Sequence, residues 1–137
     1  MNRIITGIVI SVSSCAMAAP PARPADLRIS NAHLVATCVA GRPVSGKRSW
    51  RVTEPTSLTF TMRNEPRPGI ENHDPGIAVV GFTPEDGHKY DIEVRADAAA
   101  FSLRVWRKGE WRPVVRDRST DRIVSSEPRW AESGCGS

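Results

Sequence analysis

Two short segments carry the residue types that acid–base catalysis and metal binding use. One contains His73 beside Asp74, and the other contains Glu85, Asp86 and His88. An imidazole next to a carboxylate can transfer protons or, in a larger set, ligate a metal ion. The spacings H-x-x-x-H and H-E-x-x-H are absent, and turns collect these residue types for backbone reasons. The sequence therefore predicts no catalytic residue, no metal and no cofactor, and a hydrolase built from the 72–74 and 85–88 loops is the alternative.

Trp106 and Trp111 are the strongest candidates for a binding surface. They flank Lys108-Gly109, where a two-residue turn would join two strands and set Trp106 opposite Trp111. This register predicts both indoles on the outer face, next to Arg104 and Arg107. Exposed aromatic and guanidinium groups can stack on a sugar or hold a partner protein. The alternative is a tryptophan pair that only fastens the hairpin.

The stretch from Asn64 to Gly76 is the longest without strand-like alternation, and it includes His73 and Asp74. Loops of about thirteen residues in a small domain are often functional. We therefore count His73 and Asp74 among the candidate binding residues.

The chain has three cysteines, Cys15, Cys38 and Cys135. Cys15 is lost with an export signal or consumed by lipid, which leaves Cys38 and Cys135 as a pair. In an oxidising compartment we expect them to form a disulfide. A redox-active or metal-binding pair is the alternative, but no C-x-x-C spacing supports it.

The first eighteen residues have the features of an export signal. Arg3 precedes a short apolar run, and Ala16-Met17-Ala18 matches the small-residue cleavage rule. The run is too short to span a bilayer. Val12 to Cys15 also resembles a lipobox, in which Cys15 would be lipidated. The prediction is a periplasmic or secreted protein, with a lipid-anchored envelope protein as the alternative; membrane contact is expected only in the lipidated form.

The distribution of charged residues indicates which class of partner to expect. Lys and Arg number 19 against 15 Asp and Glu, a net charge of +4 that is mixed along the chain. The segment from Arg112 to Arg129 is interleaved with Asp117, Asp121 and Glu127, which is typical of a solvated face. Nucleic-acid binders usually concentrate their basic residues, so we expect no nucleic-acid partner.

Period-two alternation predicts an all-β fold, a single antiparallel β-sandwich of about seven or eight strands. The predicted domains are a signal peptide (1–18), a proline-rich lead-in (19–26) and the β-sandwich (27–137). Pro and Gly clusters separate the alternating segments, and only 96–100 suggests a helical turn. The predicted strands are centred on 34–39, 49–52, 58–62, 78–82, 90–96 and 101–105.

The segment Phe82-Thr83-Pro84-Glu85-Asp86-Gly87-His88-Lys89-Tyr90 joins two of these strands through a Pro-x-x-Gly turn. With its surroundings, from about Gly76 to Val115, it is similar to a segment common in small exported proteins and lipoproteins of bacteria. The resemblance implies a β-rich envelope protein and supplies no catalytic residue.

These observations predict a non-enzymatic envelope protein that binds a partner protein or a cell-wall polymer. Sandwich folds host enzymes as well as binding proteins, so the fold class does not separate this prediction from the hydrolase alternative.

Overall fold

The computed structural model describes residues 22–69, 71–133 and 135. The predicted signal peptide, its cleavage site and Cys15 lie outside the described residues. Within these residues, the regular structure consists of one short helix, α1, and ten strands. The elements are β1 (Ala25–Ile29), β2 (Leu34–Val39), β3 (Arg42–Pro43), β4 (Ser49–Val52), β5 (Thr56–Met62), β6 (Ile77–Phe82), β7 (Lys89–Ala96), α1 (Ala98–Leu103), β8 (Trp111–Asp117), β9 (Arg122–Ile123) and β10 (Arg129–Ala131).

The strands form two five-stranded sheets, which confirms the all-β sandwich. Sheet 1 has the order β4-β1-β7-β8-β9, and sheet 2 has the order β10-β6-β5-β2-β3. All pairings are antiparallel except that of β1 with β7, which is parallel. The count exceeds the predicted seven or eight because β3 and β9 have two residues each and β10 has three, too few to show alternation.

The core lies between the sheets and is filled from both inner faces. Predicted strands β2, β5, β6 and β7 follow their alternation, since every second residue is buried. β1 begins at Ala25, inside the predicted lead-in, because Ala25, Leu27 and Ile29 alternate with polar residues and add to the core. No helix in the described part of the chain is long and apolar enough to cross a membrane.

The strand predicted over 101–105 is wrong, because the chain forms α1 there. Asp97 caps its N-terminus by accepting a hydrogen bond from the Ala100 backbone N–H at 3.2 Å. Three consecutive alanines favour the helix, and Arg104 ends it in the left-handed conformation at φ 56°. The helical turn indicated by residues 96–100 overlaps the start of this helix.

Cys38 and Cys135 are joined, as predicted, by a disulfide that spans 97 residues. A register shift in β2 after Ala36 sets Cys38 opposite Thr59, on the outer side of sheet 2. β10 lies at the far edge of this sheet, so the chain after β10 reaches Cys38 across the outer face of β6 and β5. Thr59 and Val79 point away from the core, yet they are only 2% and 7% exposed.

Candidate functional site

The prediction that Trp106 and Trp111 lie on the outer face is wrong, because they are only 1% and 3% exposed. The β-turn from Arg107 to Glu110 forms, but no strand precedes it, so there is no hairpin. Trp106 instead packs edge-on against Phe101, and the Trp111 indole N–H donates to the Pro75 carbonyl at 2.8 Å. Neither indole is available for stacking on a ligand, whereas Arg104 and Arg107 are exposed.

Asn64 fixes the long loop against the segment that follows α1. Its side-chain N–H group donates to the carbonyls of His73 and Trp106, and its oxygen accepts from the Trp106 backbone N–H at 2.8 Å. The Asp74 carboxylate accepts from the Gly76 backbone N–H, and its carbonyl accepts from Lys108. These contacts give the loop a structural role that alternation could not reveal.

The predicted alternative site is not assembled as one unit. The loop with His73 and Asp74 meets the beginning of β8 through the hydrogen bond from Trp111 to Pro75. His88 meets the end of β8, where its ring bonds to Asp117. The seven-residue strand separates these two ends by about 20 Å. The two loops therefore cannot act on one substrate atom.

His88 and Asp117 form a tightly held pair. The ring Nδ1 lies 2.8 Å from the Asp117 carboxylate, which is 1% exposed and also accepts from the Ser119 backbone N–H. The interpretation of Asp117 as part of a solvated face is therefore wrong. The hydrogen bond to Asp117 raises the pKa of His88. Burial alone would raise the pKa of Asp117, but the bonds from His88 and the backbone lower it.

Glu85 lies beside this pair, with its carboxylate 3.8 Å from the His88 Nδ1. One ligand atom from each of Glu85, His88 and Asp117 lies within 4.8 Å of the others. Such a donor set is chemically suited to a divalent cation. The hydrogen bond between the His88 Nδ1 and Asp117 links the end of β8 to the turn before β7.

A second feature is the outer face of sheet 1, which we call the basic face. Its strand register brings seven cationic side chains and three carboxylates to one surface. The cations are Arg28, Arg51, Lys89, Arg95, Arg112, Arg116 and Arg118, and the carboxylates are Asp26, Asp91 and Glu93. Asp121 and Glu127 reach Arg116 and Arg112 from the adjoining loops.

The carboxylates of the basic face hold several of its guanidinium groups in place. The Asp91 carboxylate accepts hydrogen bonds from the Nε and Nη2 of Arg118, each at 3.1 Å, and lies 3.4 Å from Arg28. The hydrogen bond to Arg118 lowers the pKa of Asp91. Arg116 bonds to Glu93. Lys89 and Arg95 have no carboxylate within salt-bridge distance among residues 22–69, 71–133 and 135, so their charges are not neutralised locally.

One end of the basic face is concave, where β4, β1 and β7 lie side by side. The concavity has a volume of about 720 Å³ and is lined by the cations Arg28, Lys47, Arg51, Lys89 and Arg118. Asp26 is the one carboxylate of its lining, and it lies 3.4 Å from Arg51. The side chain of Arg51 is 78% exposed, so it can still reach a ligand.

The central strands of sheet 2 present no charge on their outer side. The outward residues of β5 and β6 are Ser57, Thr59, Thr61, Ile77, Val79 and Gly81. The outer side of sheet 1 therefore carries charge, with seven cations and the carboxylates that pair with most of them, whereas the outer side of β5 and β6 carries none. Sequence reasoning missed this face because the order of the strands was unknown.

No protein family, curated protein or solved structure matches this chain.

Proposed function

We propose that this chain is an exported protein that binds an anionic polymer of the cell envelope through its basic face. The observation that carries the proposal is the group of seven cationic side chains on the outer side of sheet 1, of which Lys89 and Arg95 have no carboxylate partner among the described residues. Opposite charge attracts such a polymer and raises its rate of association.

One cross-strand pair on this face brings two positive charges together. Such a pair costs stability, and a bound anion would offset that cost, which favours a binding role. Arg95 lies directly opposite Arg112 in the register of β7 and β8. Like charges placed opposite each other across two strands destabilise a sheet. Arg112 approaches Glu127 at 3.9 Å, whereas Arg95 has no such partner in the described part of the chain. A bound anion would relieve this repulsion.

The extent of the face favours a polymer over a compact anion. Arg51 pairs with Asp26, which in turn pairs with Lys89 at the start of β7. Arg112 pairs with Arg95, near the end of β7. These positions are about 20 Å apart along the strands. Screening at physiological salt acts over about 8 Å, so one small anion cannot interact with both ends. A chain of repeated negative charges can.

The location in the cell envelope rests on the sequence. The signal-like start, the cysteine pair and the resemblance of the segment from Gly76 to Val115 support export. Either a soluble or a Cys15-lipidated form would meet envelope polymers.

Retention on immobilised heparin, a generic polyanion, tests the proposal. Wild-type protein should bind at low salt and elute as salt rises, because screening weakens the attraction. The double variant Arg95→Gln and Arg112→Gln should elute at distinctly lower salt. The double variant Arg42→Gln and Arg63→Gln removes the same charge away from the basic face and serves as the control.

Equal elution of the two double variants would show that only net charge matters and would contradict the proposal. Failure of the wild type to bind heparin at low salt would also contradict it. Preferential capture of an acidic protein from envelope extract, with no retention of envelope polymer, would replace the polymer by a protein partner.

A further inference from the structure

We infer that the concavity between β4, β1 and β7 is a subsite for the phosphate groups of the bound polymer. This inference rests on the proposed function, since it names the chemical class of the anion that the basic face takes.

The cations around the concavity come from separate parts of the chain. Arg28 lies on β1, Arg51 on β4 and Lys89 at the start of β7, while Lys47 precedes β4 and Arg118 follows β8. Their side chains therefore surround an open concavity on one side of sheet 1, and each can reach an anion placed in it.

This arrangement matches a phosphate better than a carboxylate. A carboxylate is planar, and one guanidinium can satisfy both of its oxygens. A phosphate is tetrahedral and presents its oxygens in more than one direction. It can accept hydrogen bonds from cations that surround it, and lysine binds it as a mobile point charge.

Two of the lining cations are fixed and two are free to adapt. Arg28 and Arg118 are held by Asp91, at 3.4 Å and 3.1 Å. Lys47 and Lys89 have no carboxylate within salt-bridge distance in the part of the chain that the structure describes. The fixed pair therefore defines a positive wall, and the lysines can close on an anion of variable position.

Titrations with three soluble polymers test the inference: inorganic polyphosphate, heparin as a sulfated chain, and polygalacturonate as a carboxylated chain. We expect wild-type protein to bind polyphosphate about tenfold more tightly than polygalacturonate at equal charge concentration. The double variant Lys47→Gln and Arg51→Gln should lose this preference while it retains weak binding to all three polymers. The Arg42→Gln and Arg63→Gln variant should keep the wild-type preference. Circular dichroism checks that each variant is folded.

The outcomes separate the subsite from the proposed function. Binding of all three polymers with equal affinity by the wild type would overturn the phosphate subsite and leave the polyanion proposal standing. Absence of binding to any polymer would overturn both. Tighter binding to phosphatidic acid vesicles than to polyphosphate would assign the phosphate to a lipid surface and also overturn the inference.

Discussion

At the scale of single residues, His88 and Asp117 join three strands. The His88 carbonyl accepts from the Asp26 backbone N–H of β1, its ring bonds to Asp117 at the end of β8, and Lys89 begins β7 directly after it. His88, a candidate catalytic residue by type, thus has a structural role.

The pair predicts a pH dependence of stability. His88 has a raised pKa, so its contribution is complete below the usual histidine value of 6.5 and is lost as pH rises through the folded-state pKa. Asp117 has a lowered pKa, so its contribution is complete above its usual value of 3.8 and is lost as pH falls through its folded-state pKa. The free-energy difference of unfolding between wild type and His88→Gln should be larger near pH 5.5 than near pH 8.5.

Urea unfolding at the two pH values measures this difference. The control His73→Gln leaves the pair intact and should reproduce the wild-type pH dependence. A gap between wild type and His88→Gln that does not change with pH would show that the pair does not gain stability from protonation.

Asn64 gives a second prediction at this scale. Asn64→Ala removes three hydrogen bonds and leaves the Trp106 backbone N–H and carbonyl without these partners. The loss should be about 2–3 kcal/mol of unfolding free energy. Asn72 lies exposed in the same loop, so Asn72→Ala should change stability by less than about 0.5 kcal/mol. Chemical denaturation measures both, and equal effects would contradict the role assigned to Asn64.

At the scale of elements, the disulfide connects the C-terminal segment to β2 across sheet 2. The register shift after Ala36 places Cys38 on the side of sheet 2 that faces away from the core. The disulfide to Cys135 therefore lies on that side. Without this bond, nothing covalent would link Cys135 to β2 except the chain that runs between them.

Replacing the pair by Cys38→Ala with Cys135→Ala should therefore lower stability. A closed loop of 97 residues corresponds to about 4–5 kcal/mol in the chain-entropy model. Guanidinium unfolding of the oxidised wild type and the variant gives the difference, and dithiothreitol should bring the wild type to the level of the variant. A loss below about 1 kcal/mol would mean that packing alone holds the segment.

At the scale of the whole molecule, the two sheets have different surfaces. Sheet 1 carries the basic face, whereas the outer sides of β5 and β6 in sheet 2 are neutral. The basic face carries a small excess of positive charge, and Lys89 and Arg95 have no carboxylate partner there among the described residues. This asymmetry is the physical basis of the proposed binding function.

The sequence by itself determined the fold class, several of the long strands, a turn that includes Gly87 and the cysteine pair, although the turn spans Glu85 to His88 rather than Pro84 to Gly87. These features depend on local alternation, on turn chemistry and on counting. Gly87, for example, has φ 70°, as the turn requires. The short edge strands and β1 were missed because two or three residues, or a start within a proline-rich segment, give no clear alternation.

Only the tertiary structure decided the functional surface. Alternation shows that neighbouring residues face opposite sides, but it does not show which strands lie side by side. The position of Arg95 against Arg112, the burial of Trp106 and the pairing of His88 with Asp117 all depend on contacts between distant segments. The charges appeared mixed along the chain because their common face exists only once β4, β1, β7 and β8 are assembled.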